Sequence, residues 1–223
     1  MTRTCLRLFF FLAALGVNLS AFAGESPKTV VELFTSQGCS SCPPANEFVG
    51  DLADEDDEKL VLSYGVTYWD FLGWKDTFGS QEATQRQRDY GDALEMGFVY
   101  TPQIVLNGRK HSSSFSKKDV EKDRLTPKPD ISLNLTIEDQ FLNLEMNVPN
   151  ALIVSYRPGW QYIDVERGEN RGRRLRVANV VEDIAQIEQA GLTSIEIKDG
   201  MAYAALVHDP DSLAILAASI VRP

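Results

Sequence analysis

Apolar and polar positions along this chain follow two rhythms, and the change falls near residue 126. Before it, short apolar runs alternate with segments of helical spacing. Residues 29–34 (TVVELF) form a β-branched strand, followed by the polar turn Thr35-Ser36-Gln37-Gly38. After Cys39 and Cys42, residues 43–53 read as a helix with proline near its first position and Phe48, Val49 and Leu52 on one face. Residues 59–66 are a second strand, and residues 80–96 a polar helix rich in Gln and Arg, in which Glu82 precedes Arg86 at ion-pair spacing. Residues 98–108 supply a third strand with Pro102 at its start and Asn107-Gly108 at its exit, and residues 109–113 return as its hairpin partner. Ser116 and Asp119 have capping-box spacing and open a last helix.

Residues 123–130 (DRLTPKPD) are charged and carry two prolines, which marks a boundary. Beyond it the period is two: Ile131, Leu133, Leu135 and Ile137 alternate with polar residues, as do Leu142, Leu144, Met146 and Val148 after a turn at Glu138-Asp139-Gln140. Further strands are expected at 151–156, 175–181, 194–197, 201–207 and 213–221, with Asp199-Gly200 as a hairpin signal. The order before the boundary, β-α-β-α-β-β-α, is that of a thioredoxin-like domain. The expected fold class is α/β, thioredoxin-like over residues 27–125, with an additional β-rich region over 130–223 forming a small sandwich or sheet.

At the N-terminus, Arg3 and Arg7 precede an apolar stretch over residues 8–17 that runs into Ala21-Phe22-Ala23, the three parts of a secretory signal. The stretch is about half the roughly 20 residues needed to span a bilayer. Residues 1–23, with Cys5, are therefore expected to be removed, leaving a periplasmic or secreted protein without stable membrane insertion. The full chain carries −10 at pH 7; without the leader, 20 basic residues face 32 acidic ones. Such a surface argues against nucleic acid and anionic membranes as partners.

Two remaining cysteines are too few for a disulfide-stapled scaffold. A bridge from Cys39 to Cys42 closes so short a loop that it constrains the unfolded chain very little. It is a poor staple, and an inert local disulfide is the bland alternative to chemistry. A thiolate is the attacking species in disulfide exchange, and backbone N–H groups at a helix start stabilise it. On that logic Cys39 is the nucleophile and Cys42 the resolving partner. Pro43 and Pro44 push the regular helix to begin near Cys42 or Pro43, with Cys39 in the turn before it. Thr101-Pro102 is the second sign, because a thioredoxin-like site sets a cis proline against the cysteines and X-Pro bonds adopt cis at modest cost. The expected partners are protein thiols or disulfides, with no cofactor and no metal.

Three segments, Thr35-Ser36-Gln37-Gly38-Cys39-Ser40-Ser41-Cys42-Pro43-Pro44-Ala45, Tyr68-Trp69-Asp70-Phe71-Leu72-Gly73-Trp74-Lys75-Asp76 and Tyr100-Thr101-Pro102-Gln103, resemble those of a bacterial family of secreted thioredoxin-like proteins with no assigned function. The similarity extends to Gly168-Glu169-Asn170-Arg171-Gly172 and covers essentially the mature chain. It implies a thioredoxin-like fold with a CxxC site and brings no substrate. The chain departs from the family pattern at Gly65-Val66-Thr67, where a His and an Asp are expected around the valine, and this weakens a metal role.

Tyr68, Trp69, Phe71 and Trp74 either line a substrate groove beside the cysteines or pack as a loop on the core. Tyr68, Trp69 and Trp74 join Thr101 and Pro102 as substrate-binding candidates. Asp70, Lys75 and Asp76 read as solvated or locally paired. The two histidines, His111 and His208, lack ligand spacing; a Cys39, Cys42 and His111 copper or zinc site is conceivable, and His208 reads as part of a surface turn. The basic run from Gly168 to Arg174 is either an anion-binding turn or a hairpin loop contacting water or a domain interface. Nucleotide-binding and hydrolase motifs are absent. The leading expectation is a thiol–disulfide oxidoreductase; the alternative is a non-catalytic binding module, including a dithiol copper carrier.

Overall fold

The computed structural model describes residues 21–55 and 58–222. In chain order the elements are β1 (Ala21–Ala23), β2 (Thr29–Thr35), α1 (Pro43–Glu55), β3 (Lys59–Gly65), α2 (Gln81–Ala93), β4 (Gln103–Leu106), β5 (Lys110–Ser112) and α3 (Lys117–Lys122). There follow β6 (Leu133–Glu138), β7 (Phe141–Met146), β8 (Ala151–Asp164), β9 (Arg174–Ile187), β10 (Gly191–Glu196), β11 (Ala202–His208) and β12 (Ile215–Val221). The architecture is mixed α/β, mostly strands, with few helices and two sheets. The leader expected over residues 1–23 lies outside the described residues apart from its last three, which form β1. Among the described residues no helix is long and apolar enough to cross a membrane.

The larger sheet has eight strands in the order β12-β11-β8-β9-β3-β2-β4-β5, and the smaller has four, β1-β6-β7-β10. β2 lies parallel to β3 and antiparallel to β4, and all of its residues are buried. β9 joins β3 in parallel at Ser63 and Val180, so one sheet runs through strands from both sides of the expected boundary near residues 123–130. The sheet curls until β12 at one edge nearly meets β4 next to the other edge: Ile215 N at the start of β12 donates to Asn107 O just beyond β4 at 3.0 Å. Inward-facing side chains of β2, β3, β4, β8, β9, β11 and β12 consequently share one core, and Ala83 and Tyr90 of α2 sit inside it. On the outer face, α1 and α3 cover Val31, Leu33, Val61, Ile104 and Leu106. The smaller sheet covers the outer side of β8, β11 and β12.

Two local expectations are corrected. Asp199-Gly200 does not join a hairpin: β10 pairs with β7 in the small sheet, whereas β11 lies between β8 and β12 in the large one. Burial explains the separation, since β11 is buried along nearly its whole length and β10 alternates exposed and half-buried positions as an edge strand does. The ion pair suggested for Glu82 and Arg86 is replaced by one across the fold. Arg86 faces inward, donating from Nε to Glu32 Oε1 at 2.8 Å and from Nη2 to the Tyr90 hydroxyl at 3.1 Å, while Tyr90 donates to Glu32. A polar helix can line a core because its buried polar groups find partners there.

α1 is also tied to the β8–β9 hairpin. Trp160 packs against Gly50, where an added Cβ would fall 1.9 Å from the indole ring, and its Nε1 donates to Asp54 at 2.8 Å. Glu47 pairs with Arg176, whose guanidinium stacks 3.9 Å from the Trp160 ring centre. Gly50→Ala is therefore expected to lower stability by roughly 1–3 kcal/mol, the usual cost of overpacking, read as a lower urea midpoint. An unchanged midpoint would show that the indole moves aside freely.

Candidate functional site

Two chain segments reach the same end of the large sheet. β2 ends at Thr35 and continues through the turn to Cys39, while β4 begins at Gln103 opposite Phe34, which sets Pro102 level with Thr35. The Thr101–Pro102 peptide bond is cis. α1 starts at Pro43, with Cys42 O accepting from Asn46 N at 3.1 Å, so Cys39 lies in the preceding turn as the two prolines require. Cys39 and Cys42 are joined as a disulfide, with Cα atoms 5.4 Å apart. The Ser41 hydroxyl stands 3.3 Å from Cys39 Sγ.

The turn is held from three sides. Asp76, only 3% exposed, accepts from Gln37 N at 2.7 Å and from Phe78 N at 2.8 Å, so of its two readings, solvated or locally paired, it takes the paired one. Trp74 packs with Phe78 on the β8–β9 cluster and donates from Nε1 to Gln37 Oε1 at 2.8 Å. The third side is the loop between β8 and β9, where Asn170, fully buried, donates from Nδ2 to Gln37 O and to Cys39 O, both at 2.9 Å. Arg173 Nη1 donates to Asn170 Oδ1 at 3.0 Å, and Glu169 Oε2 accepts from Ser40 N at 3.3 Å. The run from Gly168 to Arg174 thus folds onto the cysteine turn. With it in place Cys39 is 2% exposed and Cys42 0%.

The proline side is braced by α2. Gln87 Nε2 donates to Tyr100 O and to Gln103 Oε1, both at 2.7 Å, which fixes the chain on either side of Thr101 and Pro102. Trp69 bridges the two halves: its Cβ lies 3.2 Å from where a Cβ on Gly38 would sit, and its Nε1 donates to Thr101 Oγ1 at 2.7 Å. Tyr68 and Trp69 are half-buried against the main core, and burial pushes the Tyr68 hydroxyl up to about 12. Phe71, stacked on Trp69, and Phe98, beside Tyr100, stand out at 77% and 72% exposed.

The set Cys39, Cys42 and His111 does not assemble. His111 Nδ1 lies 2.8 Å from the Tyr100 hydroxyl, and among the described residues no three His, Cys, Asp or Glu side chains are placed to hold one metal ion. The departure at Gly65-Val66-Thr67 has a steric basis, because a Cβ on Gly65 would lie 2.5 Å from Phe78 O. Thr67 is also engaged, its N–H donating to Thr84 Oγ1 at 3.0 Å. Gln87 carries no signal of its own in the sequence, and Asp76 is marked only by its place at the end of the Tyr68–Asp76 segment. Asn170 could have been suspected, from its place in the glycine-flanked run.

Burial holds the Asp76 carboxyl above its ordinary value of 3.8, against the two N–H donors that favour its ionised form. The folded protein binds that proton more tightly than the unfolded chain, so the stability Asp76 contributes is full below pH 3.8 and declines as pH rises through its folded value. Asp76→Asn removes this titration. The stability difference between wild type and Asp76→Asn, from urea unfolding, is expected to move in favour of the variant as pH climbs through that window. Asp76→Ala, which strands two backbone donors, is expected to cost about 2 kcal/mol or more.

The fold is found in solved structures. A structural-genomics protein from Agrobacterium tumefaciens, determined by X-ray crystallography, is 29% identical and superposes with a TM-score of 0.68 over 88% of this chain and 95% of its own. HBP35 of Porphyromonas gingivalis, 13% identical, superposes with a TM-score of 0.53 over 87% of this chain and 74% of its own, and shows a shared fold alone. No curated protein matches. Residues 30–212 match the family described as a protein of unknown function, DUF1223, and the chain belongs to that family.

Proposed function

We propose that this protein is a periplasmic or secreted thiol–disulfide oxidoreductase built on a thioredoxin-like fold, acting on protein thiols or disulfides. The observation that carries the reading is the Cys39–Cys42 disulfide at the start of α1, at the end of the sheet that the Thr101–Pro102 loop also reaches. Phe71 and Phe98 support a polypeptide partner, since they offer exposed aromatic area beside that edge.

Starting from the disulfide, a partner thiolate attacks Cys39 Sγ; the Cys39–Cys42 bond breaks and Cys42 leaves as a thiolate. A second partner thiolate then attacks the partner sulfur of the mixed disulfide and releases Cys39. The partner gains a disulfide, and the protein takes up its two electrons as a dithiol. The reverse sequence uses the same atoms, with Cys39 attacking and Cys42 resolving.

Access is the constraint. Both sulfurs are covered, and Asn170 is the clasp, so exchange requires the β8–β9 loop to lift from the turn. Removing its two hydrogen bonds is expected to favour the open form. Asn170→Ala should speed reduction of the disulfide by dithiothreitol roughly tenfold or more, with the fold intact by circular dichroism. Trapping tests the reaction itself: Cys42→Ala is expected to accumulate Cys39 in mixed disulfides with periplasmic proteins, whereas Cys39→Ser accumulates none and loses insulin reduction.

The burial of both sulfurs favours a second reading, a thioredoxin-like binding module without turnover. Equal insulin reduction by wild type and Cys39→Ser, with an empty Cys42→Ala trap, would establish it over the first.

A further inference from the structure

A cavity of about 430 Å³ opens on the opposite side of α2 from Gln87, between that helix and the strands β11, β8 and β9. It shares no lining residue with the cysteine site, and three kinds of surface meet in it.

Its floor is a pair of side chains with spare donors. Arg86 is 9% exposed; Glu32, Tyr90 and His208 occupy its Nε and Nη2, the Tyr64 side chain lies beside the guanidinium, and the hydrogen bonds of Arg86 to these partners leave Nη1 unused among the described residues. His208, expected in a surface turn, instead ends β11 with Nε2 3.1 Å from Arg86 Nη2. Burial, together with that guanidinium, holds the imidazole well below its ordinary value and hence neutral at pH 7. A neutral ring that accepts at Nε2 carries its proton on Nδ1, and Nδ1 has no protein partner among the described residues. Leu152, Ile184 and Leu213 supply apolar wall. Glu82 and Asp89, exposed on α2 about one turn either side of Arg86, set two carboxylates at the rim, and Glu82 has no ion-pair partner among the described residues.

These surfaces specify a ligand by charge. Floor donors require an acceptor, yet Glu32 already balances Arg86 and the rim adds two negative charges, so a simple anion is disfavoured. A molecule carrying a carboxylate and an ammonium a few bonds apart satisfies both ends, and an apolar substituent satisfies the wall. We propose that this cavity binds a free α-amino acid with an apolar side chain, its carboxylate on Arg86 Nη1 and His208 Nδ1, its ammonium toward Glu82 and Asp89, and its side chain against Leu152, Ile184 and Leu213.

Isothermal titration calorimetry of the full protein with L-phenylalanine tests this directly. Saturable one-to-one binding is expected, weakened at least tenfold in phenylalanine methyl ester, which lacks the carboxylate, and in N-acetylphenylalanine, which lacks the ammonium. Glu82→Gln, at an exposed position that leaves the Glu32–Arg86 pair intact, is expected to lose roughly tenfold in affinity, and Ile184→Trp to abolish binding by filling the space. Cys39→Ser should bind like wild type, which separates this site from the cysteine chemistry. Absence of saturable binding by L-phenylalanine and L-leucine, equal affinity for the blocked analogues, or an indifferent Glu82→Gln would overturn the proposal.

Discussion

Thr35 stands opposite Gly65 on one side of β2 and level with Pro102 on the other, and this double pairing is the constraint on which the site depends. β2 is buried throughout, so slipping its register by one residue would turn its core-facing side chains outward. The inner side chains Val30, Glu32 and Phe34 enter the main core, and the outer Val31 and Leu33 pack under α1. A strand pinned on both faces delivers its C-terminal turn to one place. That register brings the turn that leads to the cysteines and the loop that carries Pro102 to the same end of the sheet.

Polar groups then do at the sheet's end what apolar packing does in its middle. Trp74 and Asp76 from one loop and Asn170 from another all converge on Gln37. The Glu32–Arg86–Tyr90 cluster anchors α2 inside the curled sheet, and Gln87 on the same helix braces the proline loop. α2 carries few apolar residues, so its position rests on these bonds. That leaves it able to present different polar chemistry on its two sides.

Much of the α/β part was legible. A β-branched run, a proline at a helix start and a capping box are local signals, and they reappear as β2, α1 and α3 with its Ser116–Asp119 box. What local patterns could not carry was partnership across the fold. Arg86 has Glu82 at helical spacing and Glu32 in space, and only burial decides between them. Asp199-Gly200 is a sound hairpin dipeptide, overridden because β11 is apolar enough to belong at the centre of the large sheet. The loop from Gly168 stood out by composition, but that its asparagine reaches Cys39 follows from the length of β8 and β9, fourteen residues each, whose outer halves lack a clear period. For Asp76 the choice between solvated and locally paired stayed open because its two partners are backbone N–H groups, which leave no trace in residue identity.

The separation between Asn170 and Cys39 has a consequence for the order of events in the cell. These two residues lie 131 positions apart, so a ribosome completes the cysteine turn well before the residue that will cover it. At synthesis rates of about 5–20 residues per second, an interval of several seconds or more separates the two. A nascent chain therefore forms the cysteine turn before the hairpin that clasps it exists, and the turn takes its last hydrogen bonds only when the hairpin docks.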